Sequence, residues 1–294
     1  MKNFCVSVIL VAMLAVAFPA SAILVDAVDD KASLAMGASN LFLGCGAAWR
    51  EEGGVRYRAG TGNLICNNPQ DGAWVITAAH ATRWTDAGET MRYLRYCFTS
   101  YFDGFPRGQT NYDPVKTIAV DDVVYHPSQD IALLKLHGVV FDLTGELITP
   151  VAFYHGTLAE GQTILMGGTG ETGIPAQGGP DGTGYRDGFK RCARGVIDYV
   201  TNIITPNLVW LKFDRTVTLP GIVSLGDSGG FAAVEKDGQI LITGILVMVS
   251  NGGEESGTAF ESLLFDPSFY GWVQSTIDAG SEIPSSVERW EMYQ

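Results

Sequence analysis

Apolar positions along this chain fall in short runs rather than in long helical stripes. Val, Ile, Thr, Tyr and Phe are prominent in these runs, and Gly, Asn, Asp and Pro cluster between them, which is the pattern of strands joined by turns. In the first half the pattern predicts strands at Leu41–Leu43, Val55–Tyr57, Asn63–Cys66, Ala73–Thr77, Met91–Phe98, Val115–Val120, Val123–Tyr125 and Ile131–Leu136. In the second half it predicts strands at Val151–Phe153, Thr163–Met166, Arg194–Tyr199, Leu208–Phe213, Phe231–Val234, Ile240–Val249 and Thr258–Leu264.

These short and closely spaced strands predict an all-β protein. Barrels and sandwiches have such spacing, whereas an α/β fold would alternate strands with longer helical segments. One short helix is predicted near the C-terminus, where Tyr270, Val273 and Ile277 recur at i, i+3 and i+7. Residues 23–40 are acidic and small and have no clear period.

The two sets of strands meet around residues 137–150, which predicts a boundary between two β domains of similar size. The predicted organisation is a signal peptide over 1–22, a first β domain over 23–143, and a second over 144–294 that includes the helix and a tail. No internal repeat is visible in the sequence.

The N-terminus has the pattern of a removed secretory signal. Lys2 precedes an apolar run from Phe4 to Phe18, and Ala20-Ser21-Ala22 then gives an A-x-A cleavage site. A membrane anchor is the alternative, but the run is 15 residues long, short of the ~20 that a spanning helix needs. We therefore expect a secreted protein, extracellular or periplasmic, with no membrane association after signal removal.

Composition narrows the function classes. Hydrophobic residues make up 46% of the chain and charged residues 17%, so a large core is available. The formal net charge is −13, and the acidic residues are scattered, which favours solubility rather than an interaction tail. A nucleic-acid partner is not expected, because phosphate binding requires a basic face.

The predicted mature chain keeps an even number of cysteines, since Cys5 lies within the signal. In an exported protein this favours disulfides, and four cysteines allow three connectivities. The first pairing we expect is Cys45 with Cys66, leaving Cys97 with Cys192. Zinc is a poor alternative, because no Cys-x-x-Cys and no clustered His accompany them.

Three short motifs carry candidate chemistry. His80 ends the run Thr77-Ala78-Ala79-His80, Asp130 opens the apolar strand Asp-Ile-Ala-Leu-Leu, and Ser228 lies within Gly-Asp-Ser-Gly-Gly. Each alone has an ordinary interpretation: a surface histidine, a turn-capping aspartate or a Gly-rich turn. Together they supply a nucleophile, a base and a carboxylate to orient that base. Glycines beside the serine would let the N–H groups of Gly226 and Ser228 form an oxyanion hole.

These three motifs, in this order and at similar separations, resemble those of trypsin/chymotrypsin-type serine endopeptidases, over roughly Leu41 to Ile277. The chain is closer to divergent, bacterial-like secreted members than to the digestive enzymes. The resemblance implies two antiparallel six-stranded β-barrels with the active site between them. It implies Ser228 as nucleophile, His80 as base and then acid, and Asp130 as its orienting carboxylate. Its substrates would be proteins or peptides, cleaved through an acyl-enzyme with no cofactor and no metal.

Two departures from the family pattern stand out. The cysteine that commonly follows the catalytic histidine is Ala81 here, and its expected partner near Gly60–Ile65 is absent too. The resemblance also places the specificity pocket on Ile222, Val247, Val249 and Gly257. An apolar floor at Ile222 should not attract Lys or Arg, so the sequence predicts a preference for small or apolar side chains.

The resemblance assigns Asp227 to the support of the oxyanion loop and leaves two possibilities for its partner. Signal cleavage after Ala22 would expose the amino group of Ile23, which could pair with Asp227. The rival partner is an internal cation such as Arg191 or Arg194, as in similar bacterial enzymes.

Other signals are weaker. Gly168-Thr-Gly-Glu-Thr-Gly173 matches a dinucleotide-binding pattern, but the prolines and glycines that follow forbid the required helix. We expect residues 167–189 to be a long surface loop instead. The acids of Asp103–Asp113 could form a calcium loop, although their spacing fits no known motif. His126, His137 and His155 have the ordinary interpretation of surface or core residues. The remaining alternatives are a catalytically silent homologue that serves as a binding module, and a generic secreted β-sandwich.

Overall fold

The computed structural model describes residues 23–25, 29–52, 55–83, 94–97, 117–142, 145–170, 190–201, 208–224, 226–249, 257–262 and 268–281. The predicted signal peptide and the acidic loop Asp103–Asp113 lie outside these residues. Within them the chain is mostly strand, so the prediction of an all-β protein is confirmed. Among the described residues, no helix is long and apolar enough to cross a membrane.

The described strands comprise a short early strand, a first group and a second group. The early strand is β1 (Leu24–Val25). The first group contains β2 (Cys45–Glu52), β3 (Val55–Asn68), β4 (Gly72–Ala78), β5 (Leu94–Cys97), β6 (Thr117–Tyr125) and β7 (Ile131–Leu136). They are followed by β8 (Ala152–Phe153), β9 (Thr163–Gly168), β10 (Arg191–Thr201), β11 (Leu208–Lys212), β12 (Gly221–Ile222), β13 (Phe231–Lys236), β14 (Gln239–Val249) and β15 (Gly257–Ser262). The helices are α1 (Asp30–Gly37) and α2 (Ser268–Ser281), with a 3-10 turn at Asn40–Phe42.

Strands β2 to β7 close into a barrel in the order β2-β3-β4-β7-β6-β5. All their pairings are antiparallel. The central strands β4 and β7 are buried along nearly their whole length, which explains why their sequences are mostly apolar rather than alternating. Strand β4 is paired on both sides, with β3 and β7, and β7 is paired on both sides, with β4 and β6.

The later strands form a seven-stranded sheet in the order β13-β9-β10-β11-β15-β14-β8. Strand β13 pairs with β9 on one side and with β14 on the other, and β8 joins β14 in parallel. Strand β1 pairs only with β12 among the described strands, so the start of the described chain lies against its second half. The proposed domain limits of 23–143 and 144–294 stay a prediction.

One apolar cluster connects the two strand groups. It contains Trp74 and Ile76 of the first barrel, and Phe231 and Ile245 of the second sheet, all at most 2% exposed. Phe42 stacks on Phe231 with a ring separation of 5.1 Å. Burial of these large side chains removes apolar surface from water at the junction, which is the main force holding the groups together.

Some predicted elements differ from the observed ones. Leu41–Leu43 was predicted as a strand but lies mainly in the 3-10 turn, because only Phe42 of these three is fully buried while Leu41 faces solvent. Strand β2 was not predicted, since its small and charged residues lack the β-branched pattern. Its Ala47 and Ala48 are nonetheless completely buried between β3 and β5. Tertiary pairing overrides local propensity here.

Two further expectations need correction. Helix α1 forms in the segment where no period was found, and its Ser33 donates to the Cys192 carbonyl at 2.7 Å. The predicted surface loop over 167–189 does not begin at 167, because residues 167–170 are buried and β9 continues to Gly168. Residues 171–189 lie outside the described part of the chain.

In the described part of the chain Cys45, Cys66 and Cys192 form no disulfide, so the predicted Cys45–Cys66 bond is absent. Cys45 pairs with Asn63 across β2 and β3, three residues from Cys66. That offset is about 10 Å along a strand, beyond the ~7 Å that a disulfide can span. Cys192 is not bonded to Cys97, whose side chain lies outside the described residues.

Burial raises the pKa of the Cys66 thiol to about 11, and that of Cys192 well above its ordinary value.

The predicted C-terminal helix is present and packs on the first barrel. Val273 and Ile277 are buried in the cluster that contains Trp74. Lys135 of β7 is almost fully buried and donates from its ammonium to the Gly280 carbonyl at the end of α2. A cation there complements the partial negative charge of a helix C-terminus.

The two glycines of α2 give a test of this docking. A Cβ at Gly280 would lie 2.3 Å from Trp74 Cζ2, whereas a Cβ at Gly271 meets nothing within 4 Å. We expect Gly280→Ala to destabilise the protein by about 1–3 kcal/mol through overpacking. Gly271→Ala, the matched control, should stabilise it by about 0.5–1 kcal/mol through helix propensity. Urea unfolding of both variants measures this, and equal effects of the two substitutions would contradict the packing described.

Candidate active site

His80 and Asp130 are positioned by two neighbouring strands. Strands β4 and β7 pair antiparallel, and their last register pair joins Ala78 to Ile131. His80 lies two residues beyond the end of β4, and Asp130 lies directly before β7. The pairing extends past the strands, because the Ala79 N–H donates to the Asp130 carbonyl at 3.0 Å. His80 and Asp130 therefore come from one end of a buried strand pair.

The three predicted catalytic side chains lie in series, with His80 within hydrogen-bond distance of both Asp130 and Ser228. His80 Nδ1 lies 2.5 Å from Asp130 Oδ2, and His80 Nε2 lies 2.8 Å from Ser228 Oγ. The side chains of His80 and Asp130 are 46% and 36% exposed, so the group is open to solvent. A ring nitrogen bonded to a carboxylate carries the proton, which leaves Nε2 to accept the serine hydroxyl hydrogen.

Asp130 holds both the ring and the backbone of His80. Its second oxygen, Oδ1, accepts the His80 backbone N–H at 2.8 Å. The turn before Asp130 is held by His126, which is buried and accepts the Gln129 N–H on Nδ1 at 3.1 Å. The His126 ring packs edge-on against Trp272 of α2 at 4.6 Å. His126 therefore has a structural role, as its ordinary interpretation predicted.

Asp227 is completely buried in the loop that carries Ser228. Its Oδ1 accepts the Gly170 N–H at 2.9 Å, and its Oδ2 accepts the Ser224 N–H at 3.0 Å. A carboxylate bound by backbone N–H groups on two sides fixes the loop between them. This supports the structural role that the sequence assigned to Asp227.

Two glycines in this loop have left-handed backbone angles that suit glycine. Gly226 has φ +93° and Gly229 has φ +85°. At Gly229 a Cβ would also lie 2.0 Å from the Thr61 carbonyl oxygen. The Gly229 N–H donates to the Leu246 carbonyl of β14 at 2.8 Å. In the described part of the chain, no acceptor is found for the N–H of Gly226 or of Ser228, the two predicted oxyanion donors.

Strand β3 of the first barrel contacts this loop directly, which sequence reasoning missed. The Thr61 N–H donates to the Ser228 carbonyl at 2.8 Å, and Asn63 Nδ2 donates to the Gly229 carbonyl at 3.0 Å. Thr77 of β4 donates its hydroxyl to the Thr61 carbonyl at 2.6 Å. In the sequence this contact is marked only by the small and polar run Gly60-Thr-Gly-Asn, which lacks the cysteine of the family pattern.

Gly60 faces Ala81, the position after His80 where the resemblance would have placed a cysteine. A Cβ at Gly60 would lie 2.9 Å from the Ala81 Cβ and 2.6 Å from the Ser228 carbonyl oxygen. The two segments are therefore in van der Waals contact. Glycine at position 60 lets β3 approach the serine loop closely.

The Gly-rich run that begins at Gly168 has a packing explanation. A Cβ at Gly168 would lie 1.9 Å from Asp227 Oδ1, and the next glycine, Gly170, donates to that same oxygen. The glycines serve the support of Asp227 rather than a dinucleotide. Lack of a side chain is what allows the buried carboxylate to fit.

The predicted pocket residues are located as follows. Ile222 is buried on β12, where it pairs with Leu24, and Val247 is half-buried on β14, directly after the Leu246 that bonds the serine loop. Val249 pairs with Thr258, the residue after Gly257, across β14 and β15. The backbone thus brings Val247, Val249 and Gly257 to one pair of strands beside the serine loop.

The possible partners of Asp227 are located as follows. Ile23 is fully buried beside β12, at the start of the segment that predicted signal cleavage would expose. Arg191 is buried and pairs with Asp30 of α1 at 2.7 Å. Arg194 pairs with Glu235 at 2.7 Å. The carboxylate of Glu235, rather than Asp227, therefore takes the Arg194 side chain.

In the described part of the chain, no group of three or more His, Cys, Asp or Glu side chains could hold a metal ion. No protein-family model matches this chain, and neither does any curated protein. Ser228, His80 and Asp130 place a hydroxyl, an imidazole and a carboxylate in series.

Proposed function

We propose that the protein is a serine endopeptidase of the trypsin/chymotrypsin type. The observation that carries this proposal is the series of contacts from Ser228 Oγ to His80 Nε2 and from His80 Nδ1 to Asp130 Oδ2. A serine hydroxyl alone is a weak nucleophile, and a base held in one tautomer by a carboxylate activates it. The three side chains come from three separate segments of the chain. A turn-capping aspartate, a surface histidine and a Gly-rich turn would have no reason to meet in this way.

In the proposed reaction Ser228 Oγ attacks the carbonyl carbon of the scissile peptide bond while His80 Nε2 takes the hydroxyl proton. Asp130 stabilises the imidazolium that forms and does not itself take the proton. His80 then gives the proton to the departing amine, which leaves an acyl group on Ser228 Oγ. Water attacks this ester with His80 again as base, and the acid product leaves.

The N–H groups of Gly226 and Ser228 are the proposed donors to the oxyanion. Charge develops on the substrate carbonyl oxygen in the transition state, and a fixed backbone donor stabilises it by about 3–4 kcal/mol in known cases. The left-handed angle at Gly226 and the bonds of Asp227 to Gly170 and Ser224 support a preformed loop.

The architecture proposed with this function is a pair of six-stranded barrels with the site between them. It is supported by the closed order of β2 to β7 and by the two-sided pairing of β13 with β9 and β14. His80 and Asp130 come from the first group of strands and Ser228 from the second. Secretion is part of the proposal and rests on the N-terminal signal sequence.

The proposed substrates are proteins or peptides with a small or apolar side chain before the cleaved bond. Ile222 is 1% exposed and Val223, beside it, is 3% exposed. Neither supplies a carboxylate, and a buried Lys or Arg side chain without one would be costly.

Labelling with a fluorophosphonate tests the catalytic proposal. The mature protein should be labelled on Ser228, and Ser228→Ala should abolish labelling without loss of the fold. Ser275→Ala on α2 is the matched control and should label like the wild type.

Asp130→Asn should lower turnover by about 10⁴-fold, because the histidine then holds the wrong tautomer.

Mass spectrometry of the labelled peptide locates the modified residue. Labelling that survives Ser228→Ala would count against the proposal. A folded wild-type protein that takes no label would favour the catalytically silent binding module instead.

A peptide library tests the proposed specificity, because an apolar pocket should reject charged side chains. We expect cleavage mainly after small or apolar residues, with the Ser228→Ala protein as the control for contaminating proteases. Cleavage mainly after Lys or Arg would overturn the assignment of Ile222 to the pocket floor.

A further inference from the structure

Two threonine hydroxyls meet where the first barrel contacts the oxyanion loop. Thr61 Oγ1 and Thr169 Oγ1 are 2.8 Å apart, and the two residues are 0% and 1% exposed. Thr61 Oγ1 also lies 3.2 Å from the Gly226 carbonyl oxygen and 3.1 Å from the Thr169 N. The hydroxyl of Thr61 thus has three polar neighbours and no contact with solvent.

The donors and acceptors at this point allow only one complete arrangement. A hydroxyl donates one hydrogen and accepts two. The Gly226 carbonyl can only accept, so it takes the hydrogen of Thr61, and the Thr169 N–H can only donate. The Thr169 hydroxyl must then donate to Thr61. Every one of these buried groups is satisfied, and Thr61 becomes the link between β9 and Gly226.

Gly226 is the residue that needs such a link. Its lack of a Cβ makes rotation of its peptide groups easy, yet its N–H is a proposed oxyanion donor that must point in one direction. Thr61 holds the carbonyl on one side of Gly226. The Gly226 carbonyl belongs to the peptide that joins Gly226 to Asp227. The Asp227 carboxylate is held in turn by the N–H of Gly170, the neighbour of Thr169.

We propose that Thr61, assisted by Thr169, is a positioning residue that fixes the orientation of Gly226 for oxyanion binding. This inference rests on the proposed function. It differs from the triad contacts because Thr61 acts through the Gly226 carbonyl, without touching substrate.

Thr61→Val is nearly isosteric and removes both the donor and the acceptor. We expect kcat per titrated active site to fall about 10- to 100-fold, somewhat less than the loss of a whole oxyanion donor, with little change in KM. Thr61→Ser keeps the hydroxyl and should stay within about threefold of the wild type. Thr169→Val leaves the bond from Thr61 to Gly226 in place and should have a smaller effect than Thr61→Val.

A second readout separates positioning from general damage to the fold. Affinity for a peptide boronate, which resembles the tetrahedral intermediate, should fall with kcat/KM in Thr61→Val, whereas affinity for a cleaved product peptide should not. Normalising to sites titrated by fluorophosphonate removes any unfolded fraction.

The outcomes are distinguishable. If the wild type is active and Thr61→Val has unchanged kcat per titrated site, this inference is overturned while the proposed function stands. Equal impairment of Thr61→Ser and Thr61→Val also overturns it. A folded wild type without activity overturns the proposed function, and this inference with it.

Discussion

The contact between β3 and the loop of Ser228 is the constraint on which the candidate site depends. His80 and Asp130 come from one strand group and Ser228 from the other, so their distances are set by how the groups meet. The bond from the Thr61 N–H to the Ser228 carbonyl, at 2.8 Å, ties the backbone of Ser228 to the first barrel. The stacked rings of Phe42 and Phe231 supply apolar burial nearby, but the polar bonds set the register.

Such a junction works only where backbones approach closely. Gly60 and Gly229 both lie where a Cβ would collide with the opposing segment. The side chain of Asn63 donates to the Gly229 carbonyl, and the hydroxyl of Thr77 donates to the Thr61 carbonyl. Buried polar groups that are paired in this way fix one arrangement, because every alternative would leave some of them without a partner.

Much of this could be predicted from the sequence, and the rest could not for identifiable reasons. The strand Ile131–Leu136 was predicted with its observed bounds because its run is mostly apolar. His80, Asp130 and Ser228 were singled out because each has a distinctive local motif, and their side chains lie in contact in series. Strand β2 was missed because Ala47 and Ala48 have no strand signature until they are packed. The contact between Thr61 and Thr169 could not be predicted, since it joins segments 108 residues apart in the sequence.

A crystal structure of the fluorophosphonate adduct is the most direct test of the central claim, that the two strand groups meet so as to form one oxyanion site around Ser228. The account predicts phosphorus bonded to Ser228 Oγ and a phosphoryl oxygen about 3 Å from the nitrogens of both Gly226 and Ser228. The Ser228 carbonyl should still accept from Thr61. A phosphoryl oxygen directed away from both N–H groups, with the Thr61 contact broken, would contradict it.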